Sequence, residues 1–184
     1  MPLRAVRRLK VKPARIHHAR LVARVVRESF AEYAGASKRP MSARLSPEQV
    51  RRHIKSGRKQ YALAYVDGRA AGAIGYRIKG RRLTFGPVGV LPKRRKSGVG
   101  SALVAWVERK AKAKKCREIR ADVLWGLAHL KTYYKNRGYR IVEKDGRTYA
   151  IKKLARPKPK SRPARHLSTG LRRTLARLSS AMST

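Results

Sequence analysis

The residues best suited to chemistry lie in one run: Val88, Gly89, Val90, Leu91, Pro92, Lys93, Arg94, Arg95, Lys96, Ser97, Gly98, Val99, Gly100 and Ser101. Its start reads as a strand that stops at a proline, its middle as a basic loop bearing glycines, and its end as the first turn of a helix. The first N–H groups of a helix have no partner inside the helix, and the helix dipole is positive there. A loop of this kind turns several main-chain donors toward one point, which becomes an anion site suited to a phosphate. Gly98 and Gly100 carry no Cβ, so the backbone can approach such a ligand closely.

The elements around this loop must position it. Residues 3–11 alternate loosely and are expected to form a first strand. From Pro13 a helical pattern begins, with Ile16, Ala19, Ala23, Val26, Phe30 and Tyr33 on one stripe. Ser46-Pro47-Glu48-Gln49 is a helix start in which Ser46 caps and Gln49 completes a capping box, and that helix is short, ending near Gly57. Strands are expected over Tyr61–Val66, Ala70–Lys79 and Leu83–Leu91, with turns at Asp67-Gly68 and Gly80-Arg81. Gly86-Pro87 conflicts with the third strand, because proline cannot donate to a ladder, and reads as a bulge or a splayed edge. Gly98–Lys115 is a helix, Arg117–Leu124 a strand, and Gly126–Arg137 a helix closed by Gly138 as a left-handed cap. Tyr139–Glu143 and Arg147–Leu154 make a last hairpin about Asp145-Gly146. The fold class is α+β, a mostly antiparallel mixed sheet with one βαβ step and about four flanking helices.

Composition narrows the class. The 184 residues include 49 Lys and Arg against 9 Asp and Glu, a formal net charge of +40. So basic a chain repels itself and attracts polyanions such as nucleic acid, with strong salt dependence. Cys116 is the sole cysteine, which rules out an internal disulfide and the usual cysteine metal frameworks and suits a reducing compartment. No apolar run reaches the roughly 18 residues of a membrane span. The expected setting is cytoplasmic or nucleic-acid-associated. The start of the chain is Arg-rich and acid-free as far as Glu28, a weak likeness to a transit peptide that the acid-poor composition of the whole chain explains equally well.

Residues 1–154 read as one domain and 155–184 as an appendage. Arg156 to Pro163 holds three prolines and is expected to be an extended linker. Beyond it Leu167, Leu171, Leu175 and Leu178 share one helical face amid arginines. That segment is expected to be either a disordered tail or an amphipathic element ordered by a polyanion.

The element order and central block resemble the GNAT superfamily of N-acetyltransferases. The family signature is Arg or Gln, two residues, Gly, one residue, then Gly or Ala, between a strand and a helix. It is matched by Arg95-Lys96-Ser97-Gly98-Val99-Gly100. A second landmark, a Tyr four residues before a Gly-aromatic pair, is matched by Tyr134-Lys135-Asn136-Arg137-Gly138-Tyr139. The resemblance covers about residues 3–154. It implies acetyl-CoA in a cleft where two parallel strands, here Leu83–Leu91 and Arg117–Leu124, splay apart. The pantetheine would take up unpaired groups of Val88, Gly89 and Val90. The pyrophosphate would sit on the amides from Arg95 to Ser101, with Lys93, Arg94, Arg95 and Lys96 adding charge.

The resemblance also makes Tyr134 the general acid for the departing thiolate and Tyr133 a packing residue, with the Val88 N–H or a neighbour as oxyanion donor. Two departures stand out. No carboxylate lies between Arg82 and Leu91, where relatives often place a general base, so Asp122, Glu118, His129 or a water chain must serve. Leu127 occupies a position where relatives often carry Asn. The charge points to an amine presented by something anionic, such as a protein in a nucleic-acid complex, an aminoacyl-tRNA or a ribosomal protein. Three functions remain open: an acetyltransferase working on or beside nucleic acid, a nucleic-acid-binding or packaging protein on a weakened scaffold, and an acyltransferase toxin acting on charged tRNA.

Overall fold

Two-residue alternation produces seven strands and three-to-four spacing produces four helices in the residues that the structure, a computed structural model, describes: 8–33, 41–123 and 128–155. The strands are β1 (Leu9–Pro13), β2 (Gln60–Val66), β3 (Arg69–Lys79), β4 (Arg82–Val90), β5 (Glu118–Val123), β6 (Arg140–Lys144) and β7 (Arg147–Lys153). The helices are α1 (Ala19–Ser29), α2 (Pro47–Lys55), α3 (Val99–Ala113) and α4 (Ala128–Asn136). The sheet order is β1-β2-β3-β4-β5-β7-β6, antiparallel except where β4 meets β5. That single parallel step is the βαβ unit with α3 as its crossover.

Each face of the sheet carries its own core. On one, Val99, Leu103, Val107 and Ala111 of α3 pack over Leu83, Phe85, Ile119 and Ala121. On the other, Val22, Ala23, Val25 and Val26 of α1 and Val50 of α2 cover Tyr61, Leu63 and Ala73. The alternate residues of β3–β5 explain the division, since odd and even positions of a strand face opposite ways. Gly72 permits the first contact: a Cβ there would stand 2.8 Å from Val99 Cγ1 and from the Gly89 carbonyl oxygen.

Local signals behave as expected at the second helix. Ser46 Oγ accepts from the Gln49 N–H at 3.1 Å, and Gln49 Oε1 accepts from the Ser46 N–H at 2.8 Å. Gly138 adopts φ +78° after α4. Two expectations need correction. Pro13 does not open a helix; it ends β1, an edge strand, where a residue without an N–H costs the ladder least. The long helical stripe from Pro13 to Tyr33 is broken into a 3-10 turn at Ile16–His18, α1, and a second turn at Ala31–Tyr33. Residues 3–7, the 124–127 segment with Leu127, and the tail from 156 lie outside the described residues. Among those described, no helix is long and apolar enough to cross a membrane, and no cluster of His, Cys, Asp or Glu is built for a metal. Cys116 is buried, and burial raises its thiol pKa.

Candidate active site

The site begins where the sheet divides. β4 pairs with β5 from Arg82↔Glu118 to Phe85↔Ala121 and no further. Immediately beyond, Gly86 and Pro87 of β4 stand opposite the single residue Gly75 of β3, which is the expected bulge. Gly86 has φ +143°, a conformation that favours glycine, and its bond to Pro87 is cis. Past the bulge β4 stays with β3 (Ile74↔Val88, Gly72↔Val90), while Asp122 and Val123 of β5 stay with β7. A fork therefore opens at Gly86. The Leu91 N–H donates to the Ala71 carbonyl at 3.0 Å. In an antiparallel ladder the groups of alternate residues point to opposite edges, so Val88 and Val90 turn their N–H and C=O into the fork, and Gly89 turns its own toward β3. Gly89 has a different use: a Cβ there would meet Ser29 at 2.9 Å, so its absence lets α1 lie on β4.

At the mouth of the fork is the loop between β4 and α3. The Arg94 and Arg95 amides close a short turn onto Leu91 and Pro92 at 2.8 and 3.2 Å, and the next main-chain donation is Ala102 to Gly98 at 2.9 Å. Between them the six amides of Lys96, Ser97, Gly98, Val99, Gly100 and Ser101 meet no acceptor among the described residues. Lys96 at φ +57° and Gly98 at φ +81° give the loop left-handed turns, the backbone form that gathers N–H groups around an anion. Arg95 is used differently from the expected phosphate contact. Its guanidinium bonds Glu32 Oε2 at 2.8 Å and the Ser29 carbonyl at 3.2 Å, which straps the loop to the end of α1. Lys93 and Lys96 are exposed, and Arg94 is half-buried.

Tyr134 closes the base of the fork. It is buried, with its ring 6.1 Å from Phe85, the last residue of β4 to pair with β5, and 5.4 Å from Tyr139. Its hydroxyl makes no hydrogen bond among the described residues. Burial raises its pKa far above the phenol range, with the neighbouring Tyr133 and the charge of Asp122 adding to the shift and Arg137 opposing it. The phenol thus stays protonated. Tyr133 links helices: its hydroxyl reaches Ser101 Oγ at 3.5 Å, and the Arg137 guanidinium lies 5.6 Å over its ring.

The base candidates separate by position. Glu118 is taken by Arg82 at 2.6 Å, and His129 is exposed on α4. Asp122 sits at the fork, with its Oδ2 4.0 Å from where a Cβ on Gly86 would be, and it makes no ion pair among the described residues. Sequence reasoning passed over Lys59. Its side chain crosses Gly75 to donate from Nζ to the Gly86 carbonyl at 2.8 Å. Burial lowers its pKa, and Asp122 partly offsets this. Gly57-Arg58-Lys59 looks like any other basic turn of this chain, so no pattern marked it; only the bulge shows where it reaches.

The model of the acetyltransferase (GNAT) family matches residues 24–142, well over half of the chain. The chain belongs to the GNAT family. Among solved structures, PaiA N-acetyltransferase of Thermoplasma acidophilum in complex with coenzyme A superposes with a TM-score of 0.69 at 20% identity, covering 80% of this chain and 99% of that one. A GNAT acetyltransferase of Brucella melitensis in complex with acetyl-CoA gives 0.60 at 16% identity, covering 83% and 92%. One of Staphylococcus aureus Mu50 gives 0.64 at 15%, covering 80% and 100%. At these identities the likeness speaks for the GNAT fold. No curated protein matches the sequence.

Proposed function

We infer that this GNAT protein is an acetyl-CoA-dependent N-acetyltransferase whose acceptor amine is carried by, or lies beside, nucleic acid. The observation that carries the catalytic part is the run of six unpartnered amides, Lys96 to Ser101, at the mouth of a strand fork. Those amides and the dipole of α3 hold the diphosphate. Val88 and Val90 offer their main-chain groups to the pantetheine amides. Bound acetyl-CoA supplies an activated acyl carbon. Asp122, directly or through a water, takes the proton from the attacking amine. The Val88 N–H receives the oxyanion that develops as the N–C bond forms. Tyr134 protonates sulfur as the C–S bond breaks, so thiol leaves and amide remains.

The anionic acceptor is supported by the net charge of +40, which disfavours free polyamines. Calorimetry with acetyl-CoA, together with thiol release by wild type and Tyr134→Phe, tests the enzymatic part. Micromolar binding with thiol release abolished by the substitution is expected, and failure of the wild type to bind acetyl-CoA would sink it. The second reading, a nucleic-acid-binding protein with lost turnover, draws on the missing carboxylate of β4. Asp122 at the fork weighs against it.

A further inference from the structure

Among the described residues, no helix covers one side of the adjoining parts of β3, β4, β5 and β7. Their α3 side is core. On the other side α1 and α2 cover β2, β3 and the far half of β4, and stop there. The near half forms a concavity of about 610 Å³. Its lining is built in rows across the strands: Arg77 lies beside Thr84 and Thr84 beside Arg120, while Lys79 lies beside Arg82 and Arg82 beside Glu118. Arg81, Arg117, Arg147 and Tyr149 complete the rim, and Asp122 stands at its fork end. Seven cations face two carboxylates, and six of the seven are arginines.

Two of the seven cations have evident internal uses. Arg82 pairs with Glu118 at 2.6 Å, and Arg120 stacks 3.5 Å over the Tyr149 ring. Arg77, Arg117 and Arg147 are exposed and make no ion pair among the described residues. A cluster of like charges held together by strand register repels itself and gains nothing for folding. Planar guanidinium groups suit phosphate oxygens, which they grip with two parallel hydrogen bonds. The chain's own tail does not complement this face, since residues 155–184 contain no acidic residue.

We propose that this bare face of β3, β4, β5 and β7 binds the phosphate backbone of a nucleic acid strand. The face runs into the fork at Asp122, so the bound strand lies against the acceptor side of the site. This placement rests on the acetyltransferase reading, whereas the binding itself does not.

The test uses the full chain and 20-nucleotide labelled probes, one single-stranded and one duplex, read by fluorescence anisotropy. The face variant is Arg77→Gln/Arg117→Gln/Arg147→Gln. The control, Arg109→Gln/Lys112→Gln/Lys114→Gln, removes the same charge from exposed positions of the α3 region, on the opposite side of the sheet. At 150 mM salt the face variant is expected to lose at least tenfold in affinity for one probe or both, and the control less than threefold. Its salt slope should also flatten by about 2 to 3. Equal losses in the two variants would overturn the proposal, as would displacement of the probe by polyglutamate as efficiently as by unlabelled oligonucleotide. Circular dichroism and acetyl-CoA calorimetry on both variants establish that each is folded. Should wild type bind the probes through this face but not acetyl-CoA, the surface stands and the enzymatic reading falls.

Discussion

Two regions of this molecule are suited to phosphate, and they are built from opposite materials. The loop before α3 offers six main-chain amides, and its most conspicuous side chain, Arg95, is turned inward to strap the loop to α1. The sheet face offers guanidinium groups from strand positions and from the turns that precede β4 and β5. An amide site depends on conformation: almost any residue supplies the N–H, provided the backbone takes the required turns. A side-chain site depends on charge and tolerates conformational change. The first is short-range and fixed in direction. The second is long-range and is screened within about 8 Å at physiological salt.

The largest expected effect separates both regions from the chemistry between them. Tyr134→Phe removes the proton donor and leaves amides and arginines intact. The acyl-transfer rate should fall by about 100- to 10,000-fold, the usual weight of a positioned acid, with acetyl-CoA and nucleic-acid affinities unchanged. Because burial raises the pKa of Tyr134 above its ordinary value of 10.0, the phenol is still protonated at that pH. Wild-type rate should show no descending limb from this group below about pH 10. A variant that keeps its full rate would move the acid elsewhere.

Salt distinguishes the two regions directly. If the sheet face contacts about six phosphates, nucleic-acid affinity should drop roughly thousandfold between 50 and 200 mM salt. Acetyl-CoA affinity should change by less than about fivefold over the same range, because its diphosphate is held by amides and a dipole at contact distance. Parallel salt slopes for both ligands would erase the distinction. They would mean that the loop works through Lys93 and Lys96.

What was legible in the sequence divides along the same line. The bulge and the cap were readable because each rests on a residue with few substitutes: Gly86-Pro87 for a break in a ladder and Gly138 for the left-handed cap that ends α4. The splayed strands and the candidacy of Tyr134 came instead from the resemblance carried by Arg95–Gly100 and Tyr134–Tyr139. Elements whose ends depend on packing were less readable. The apolar stripe from Ile16 to Tyr33 carries no breaker at Phe30, and α1 ends there where its last turn meets the strand at Gly89. The basic face was invisible. Its residues lie on four strands and on the turns before two of them, between positions 77 and 149, and in a chain with 49 cations no local window distinguishes Arg77 from its neighbours. Lys59 escaped for the same reason. Its partner is a main-chain carbonyl 27 residues away, which only the folded bulge presents.

Conformation at the loop can be challenged without touching charge. A Cβ at Gly98 would meet nothing within 4 Å, so the challenge from Gly98→Val falls on the backbone and not on a packed neighbour of that atom. The substitution forces a β-branched residue to φ +81°, at a cost of about 1–2 kcal/mol. If the loop instead relaxes out of that turn, the amide array disperses. Acetyl-CoA affinity should weaken about 5- to 30-fold by calorimetry, with nucleic-acid affinity unmoved. An unaltered acetyl-CoA affinity would show that the left-handed turn is dispensable and that the loop is not an amide site.

The smallest effect is the most pointed, because it concerns the residue that looked most like a phosphate ligand. Arg95 and Glu32 are both substantially exposed, at 40% and 45% of their side-chain surface, and such pairs are worth about 0–1 kcal/mol. Arg95→Gln should therefore weaken acetyl-CoA binding by no more than about fivefold, through loosening of the loop. Its salt slope should match that of wild type, since no phosphate contact is lost. Glu32→Gln, which removes the carboxylate end of the strap, should reproduce it. If Arg95 were instead a ligand to the diphosphate, the two substitutions would diverge: Arg95→Gln would flatten the slope, and Glu32→Gln, by removing a competing carboxylate, would tighten binding.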